Sequence, residues 1–300
     1  MPENSSPAST PSPPAGNKRR TFFIRLGSTV GLWGLMAVGF TRKEIWPAVL
    51  LIALFGLGTS AEYFRLEKSD AKAAPYRRIG FALCVAFWIV LGTHSVMYET
   101  EAPWWLDVAA LVAVLQCAFL PPLRHGLDGQ ATIMRVYFTI FGVVYTAIMF
   151  GFLMRLLFLD GAASGRVLLL MTLMVTKFSV MGAYAFGTWL GKHKMIPHIS
   201  PAKTWEGLGG AFAGSYLAMV TLMLVVPDKL APLTWKWALI LAPLLCVVAV
   251  IGDLAESMLK RCHGIKDSGH KLPGIGGMLD LTDSLLFTAP VCYFYMKAIS

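Results

Sequence analysis

The stretch LILAPLLCVVAVI, Leu239–Ile251, carries no charge, and it runs without a break into GDLAESMLKRC, Gly252–Cys262. The first part reads as the interior of a bilayer and the second as its boundary. A helix needs roughly 20 mostly apolar residues to cross about 30 Å of hydrocarbon, so this run and its flanks fit one crossing. The pattern recurs at Phe81–Met97, another long run without charge. Of the 300 residues, 56% are hydrophobic and 14% are charged, against about a quarter charged in ordinary soluble domains. The composition argues against a soluble enzyme and predicts an all-α fold, a polytopic helical membrane protein.

Nine candidate spans follow, near 22–40, 45–64, 78–98, 104–121, 133–157, 166–190, 205–226, 234–259 and 282–298. Residues 1–20, rich in Pro and Ser without an apolar core, read as a disordered cytoplasmic tail and not as a cleavable signal. Residues 21–165 form N-terminal transmembrane helices, and 166–300 form a C-terminal region with the polar chemistry. Lys and Arg favour the cytoplasmic loops of membrane proteins. Lys18, Arg19, Arg20 and Arg25 place the amino terminus inside, and Arg65 to Arg78, Lys192 to Lys203 and Lys260 to Lys271 then fall on the same side. The opposite loops are acidic or lack bases, as in YETEAPWW (Tyr98–Trp105), with Arg42 and Lys43 dissenting. The net charge of +9 is thus a matter of topology, with anionic headgroups as natural partners. No soluble basic domain is present to bind nucleic acid.

Five scattered cysteines show no CxxC or Cys/His spacing, so they read as four small buried hydrophobes and one cytosolic thiol at Cys262. His193, His198, His263 and His270 are unevenly spaced and read as loop residues. GxxxG spacings at Gly27/Gly31, Gly187/Gly191 and Gly210/Gly214 predict close helix packing and permit a homodimer.

Two polar islands lie on the predicted cytoplasmic side, Gly182–Gly207 and Gly252–Asp283. In the second, Asp253, Glu256, Ser257 and Lys260 recur at i, i+3, i+4 and i+7, which is one helix face. Asp267 precedes a turn and then LPGIGG, Leu272–Gly277, which cannot be regular helix and lets backbone amides approach an anion. Asp280 and Asp283 follow at i, i+3. Carboxylates supply the oxygen ligands that Mg²⁺ accepts, commonly alongside substrate phosphates, while Lys260, Arg261 and Lys266 can balance phosphate charge. Read alone, these charges also fit a solvated loop, except that Asp253 and Asp280 stand at the ends of apolar runs, where charge is costly. In the first island, Ser200-Pro201 fits the cap and first residue of a helix, with Lys203, Thr204 and Glu206 following. Such a helix start is equally a capped end or an anion site.

The second island resembles the signature of phosphatidate cytidylyltransferases, also called CDP-diacylglycerol synthases. That pattern runs Ser-x-x-Lys-Arg, four residues, Lys-Asp, then Pro-Gly-His-Gly-Gly-x-x-Asp-Arg-x-Asp. Ser257, Lys260, Arg261, Lys266, Asp267, Pro273, Gly274, Gly276, Gly277, Asp280 and Asp283 match it, and Gly252-Asp253 resembles the Gly-Asp that precedes it. The first island is similar to the same family's Gly-Ala-Tyr…Ser-Pro-x-Lys-Thr-Trp-Glu-Gly block, through Gly182, Ala183, Tyr184 and Ser200 to Gly207.

The resemblance implies a Mg²⁺-dependent reaction of CTP with phosphatidate that yields CDP-diacylglycerol and pyrophosphate. It implies Asp253 and Asp280 as metal ligands, for two divalent ions or a divalent with a monovalent ion. Asp267 and Asp283 follow as lesser candidates. Lys260, Lys266, Arg261 and Lys203 would neutralise phosphate, and Ser200, Thr204, Glu206, Ser257, Gly276 and Gly277 would contact substrate. Ile275 stands where the family has His, Leu281 where it has Arg, and Val180 where it usually has Asp. Two readings stay open: a working enzyme of phospholipid biosynthesis in a bacterial plasma membrane, its site facing the cytoplasm, and an impaired homologue that binds lipid or nucleotide or serves as a scaffold.

Overall fold

The computed structural model describes residues 44–66, 74–162, 164–265 and 276–299. Eight long helices make up almost all of it: α1 (Trp46–Leu66), α2 (Arg77–Tyr98), α3 (Trp105–His125), α4 (Gln130–Leu157), α5 (Gly165–Trp189), α6 (Trp205–Val225), α7 (Trp235–Cys262) and α8 (Met278–Ile299). The first seven are long and apolar enough to cross a membrane. The eighth is of similar length but carries Asp280 and Asp283 in its first turns. The expected span at 22–40 lies outside the described residues, as does the 1–20 tail.

One expectation is corrected. Ser200 does not cap a helix: Ser200–Thr204 is a strand, β2, paired antiparallel with β1, Lys194–Ile196. Thr204 is the cap instead, its Oγ1 accepting from the Gly207 N–H at 3.1 Å. The all-α fold therefore carries one small hairpin, which bends the chain over the end of the bundle before α6 begins.

Large apolar side chains cover the outside, among them Leu54, Ile89, Leu115, Phe119, Leu217 and Leu224. Such a surface is a liability in water and ordinary against lipid. Between helices the driving force is close packing and hydrogen bonding. The most extensive helix contact joins α5 to α6, and small residues make it possible. A Cβ at Gly182 would stand 2.1 Å from the Gly210 carbonyl oxygen, and one at Gly214 would stand 2.2 Å from that of Phe178. The glycines of two of the three GxxxG spacings are thus engaged within the chain, and Gly27/Gly31 lies outside the described residues.

Hydroxyl groups fix α8 against its neighbours. Thr59 meets Thr282 at 2.9 Å, Thr176 meets Thr288 at 3.0 Å, and Thr172 reaches Cys292 Sγ at 3.1 Å. In α4 the turn Val144–Ile148 is π-helical and turns Tyr145, Thr146 and Ala147 inward together. Thr146 donates there to Ser60 of α1 at 2.8 Å.

The bundle has two charged ends. At one, Arg155 of α4 is 2% exposed and bonds the Ala102 carbonyl and Asp107, the latter at 2.8 Å. Glu101 beside it accepts from Tyr293 and pairs with Lys297 of α8 at 2.7 Å. At the other end lie Glu62, Lys203, Asp253, Glu256, Lys260 and Asp280, so α8 runs from one charged end to the other.

Removing one partner of a buried ion pair strands the other. Arg155→Met should therefore lower stability by about 3 kcal/mol, read as a fall in the thermal midpoint of the purified protein in detergent. Gly182→Val should cost about 1–3 kcal/mol in the same assay by forcing α5 from α6.

Candidate active site

The α7 face foreseen from spacing is real, and its partners come from three other elements. Lys260 Nζ lies 2.6 Å from Glu256 Oε2, one turn back on α7, and 2.6 Å from Asp280 Oδ1 at the start of α8. The other Asp280 oxygen accepts from the Gly277 N–H at 2.8 Å. Gly276 is required there: its φ is +115°, and a Cβ would approach Asp280 Oδ2 to 2.7 Å. Glu62 of α1 accepts from the Leu279 N–H at 2.9 Å and so satisfies one of the amides a helix start leaves bare.

One helical turn deeper, Asp253 pairs with Lys203 of β2 at 2.9 Å. Asp283, 8% exposed, accepts from the Ser284 N–H at 2.5 Å and lies within electrostatic reach of Asp253 and Lys177. Lys203 and Asp253 form the charged end of a cleft of about 260 Å³ between α5, α6, α7 and the hairpin. Val180, Tyr184, Met195, Leu208 and Val250 make its walls mostly apolar, and Ser200 lies on its rim. Val180, the aliphatic departure just before the first island, lines this cleft.

Not every candidate gathers here. Glu206 accepts from the Lys192 and His193 N–H groups and pairs with His193 Nδ1 at 2.6 Å, tying the hairpin to α6. Arg261 is exposed and reaches the Ile199 carbonyl at 3.4 Å, bracing the hairpin turn. Thr204 is 3% exposed and spent on its cap. Ser257 is half-buried on α7. Lys266, Asp267 and Ile275 lie outside the described residues.

Sequence reasoning left three groups out of the site. Glu62 lies far outside both polar islands in sequence. Glu256 was placed on the active face without a role. Lys177 was passed over, although a single charge in the middle of an apolar helix is the usual sign of function.

No three His, Cys, Asp or Glu side chains converge into a ready metal cage among the described residues. The donor chemistry nonetheless fits a hard divalent ion. Asp253 and Asp283 sit on turns of α7 and α8 that touch, a Cβ at Gly252 standing 2.8 Å from the Asp283 carbonyl oxygen, and ions of this kind commonly take one or two carboxylates and complete their shell with water and substrate phosphates. The lysines now facing these aspartates are the counter-charges such phosphates would meet.

Residues 23–299 match the family model described as the cytidylyltransferase family. A phosphatidate cytidylyltransferase of Bacillus subtilis is 30% identical over 254 residues, 85% of this chain and 90% of that protein. One from Staphylococcus saprophyticus is 33% identical over 202 residues, 67% of this chain and 75% of its own. The uncharacterized protein YnbB of Escherichia coli is 35% identical over 163 residues, about half of each chain at 51% and 53%.

Lys260→Met should leave Glu256 and Asp280 facing one another in a poorly solvated place and cost about 3 kcal/mol. Adding Glu256→Gln should return part of that loss, measured by thermal unfolding of both variants.

Proposed function

The chain belongs to the cytidylyltransferase family, and on that premise we propose that it joins CTP to phosphatidate, giving CDP-diacylglycerol and pyrophosphate. The observation that carries this reading is one cleft with apolar walls whose charged end holds Asp253 and Lys203, with the Lys260–Asp280 pair further along α7 at the same end of the bundle. An amphiphile whose phosphate must meet a triphosphate needs that combination.

In this reaction a phosphate oxygen of the lipid forms a bond to the α-phosphorus of CTP, and the bond from that phosphorus to the bridging oxygen breaks as pyrophosphate leaves. No side-chain nucleophile is needed, since positioning and charge stabilisation supply most of the catalysis. Lys203 and Lys260 bind and orient phosphate, with Arg261 of α7 and Lys266 as further cations. The amides of Gly276 and Gly277 follow the same anion-binding logic. Ser200 and Ser257 lie near enough to the cleft or the α7 face to contact substrate. Thr204 and Glu206 act at one remove, by holding the hairpin that carries Lys203. Asp253 and Asp280, with Asp267 and Asp283 as lesser candidates, would hold Mg²⁺. Bound there, the ion would offset charge on the phosphates and the leaving pyrophosphate.

The catalytic region is 166–300, with Glu62 reaching it from the N-terminal helices. Adding 22–40 and Met278–Ile299 to the seven apolar helices gives nine crossings, the amino terminus in the cytoplasm and the site at the cytoplasmic face of a bacterial plasma membrane. There soluble CTP and a membrane lipid can meet. The glycines that would permit a homodimer are mostly committed to the α5–α6 contact, so they lend that assembly little support.

Purified protein in nanodiscs containing phosphatidate should release pyrophosphate on addition of CTP and Mg²⁺. No release under conditions where the Bacillus subtilis relative turns over would refute the assignment. Asp253→Asn should lower turnover on the order of 100-fold or more while leaving the protein folded. An Asp253→Asn variant of full activity would remove that residue from the metal site.

A further inference from the structure

Lys177 is the one charged residue between Val167 and Trp189, and the reaction as drawn above does not use it. Its Nζ donates to the backbone carbonyl of Leu281 at 2.6 Å. It also lies within electrostatic reach of both Asp253 and Asp283. Its side chain borders a small apolar cavity of about 40 Å³, shared with Phe55, Leu173, Leu281 and Leu285. A lysine at that depth is costly unless it meets opposing charge. Here it meets the Leu281 carbonyl of α8, with the carboxylates of Asp253 on α7 and Asp283 on α8 within electrostatic reach.

Leu281 is also where the signature pattern carries Arg, directly after Asp280. In this chain the side chain at 281 is part of an apolar cavity, and an ammonium from α5 sits on the backbone of that same residue.

We propose that Lys177 is a positioning residue for the reaction: it supplies from α5 the cation beside Asp283 and Asp253, and so holds the start of α8 and both carboxylates in working register. This rests on the cytidylyltransferase reading of the site. Without the ammonium, two neighbouring carboxylates would face each other across α7 and α8, and the carbonyl of Leu281 would lose its cross-helix donor.

The test compares the full chain with Lys177→Met, Lys177→Arg, Leu281→Arg and the double variant Lys177→Met/Leu281→Arg in phosphatidate nanodiscs. Pyrophosphate release gives kcat and KM, and calorimetry without phosphatidate gives the affinity for CTP with Mg²⁺. Lys177→Met should lose on the order of 100-fold in kcat/KM, mostly in kcat, and bind nucleotide more weakly. Lys177→Arg should stay within a few-fold of the starting protein. Leu281→Arg should restore at least about 10-fold of the activity of Lys177→Met yet add nothing alone, because the place is already filled. A merely structural lysine would not show that rescue.

A folded Lys177→Met variant with full turnover and nucleotide affinity overturns the proposal. So does a folded double variant no better than Lys177→Met. Should Lys177→Met not fold, the double variant and Lys177→Arg decide, active supporting and folded but inactive refuting. A starting protein without turnover strikes the assignment of function instead, and nucleotide affinity then judges Lys177 by itself. A starting protein that neither turns over nor binds CTP overturns both.

Discussion

Lys260 bridges two carboxyl groups, one from α7 and one from α8, at a place where little water reaches them. Glu256, 1% exposed, and Asp280 each lie 2.6 Å from its ammonium. In surroundings of low polarity such a triad is stable only with good geometry and its remaining oxygens satisfied. That demand sets the distance between α7 and α8 at this end. The beginning of α8 is then held three ways, through Asp280 on Lys260, the Gly277 amide on Asp280, and the Leu279 amide on Glu62. With that start fixed, Asp283 lies one turn further along α8, within electrostatic reach of Asp253 and Lys177.

The opposite end repeats the solution with different residues. Arg155 answers Asp107 and the Ala102 carbonyl, and Glu101 draws in Tyr293 and Lys297 of α8. Between these anchors the threonine contacts of α8 with α1 and α5 set register more than they add stability. Hydrogen bonds between membrane helices average only about 0.6 kcal/mol each. Close approach of α5 and α6 at Gly182, Gly210 and Gly214 supplies the complementary packing.

Much of this was legible beforehand. Candidate spans 45–64, 78–98 and 166–190 lie within one or two residues of Trp46–Leu66, Arg77–Tyr98 and Gly165–Trp189 at most of their ends, because a long uncharged run admits few other structures. The hairpin was not legible. Ser200-Pro201 satisfies every local rule for a helix start, and strands of three and five residues carry too weak a period to contest it. What decides is a partner strand and the Trp205 N–H bonded to the His193 carbonyl at 3.0 Å. The bonds Glu206 accepts from the Lys192 and His193 N–H groups were equally out of reach of the sequence, since they depend on the hairpin.

Composition and apolar runs by themselves determined a polytopic helical membrane protein. The two motif blocks pointed to its family and to the carboxylates and lysines that matter. These are properties of residue type and short spacing, which the chain carries whatever its fold. Only the tertiary structure decided who faces whom: Lys260 between Glu256 and Asp280, Glu62 on the Leu279 amide 217 positions away, Lys203 on Asp253, and Lys177 on the carbonyl of Leu281. Apart from Lys260 with Glu256, one turn away on α7, each pairing joins different helices or strands, because a charge at the end of a membrane helix is satisfied by whichever partner packing brings near.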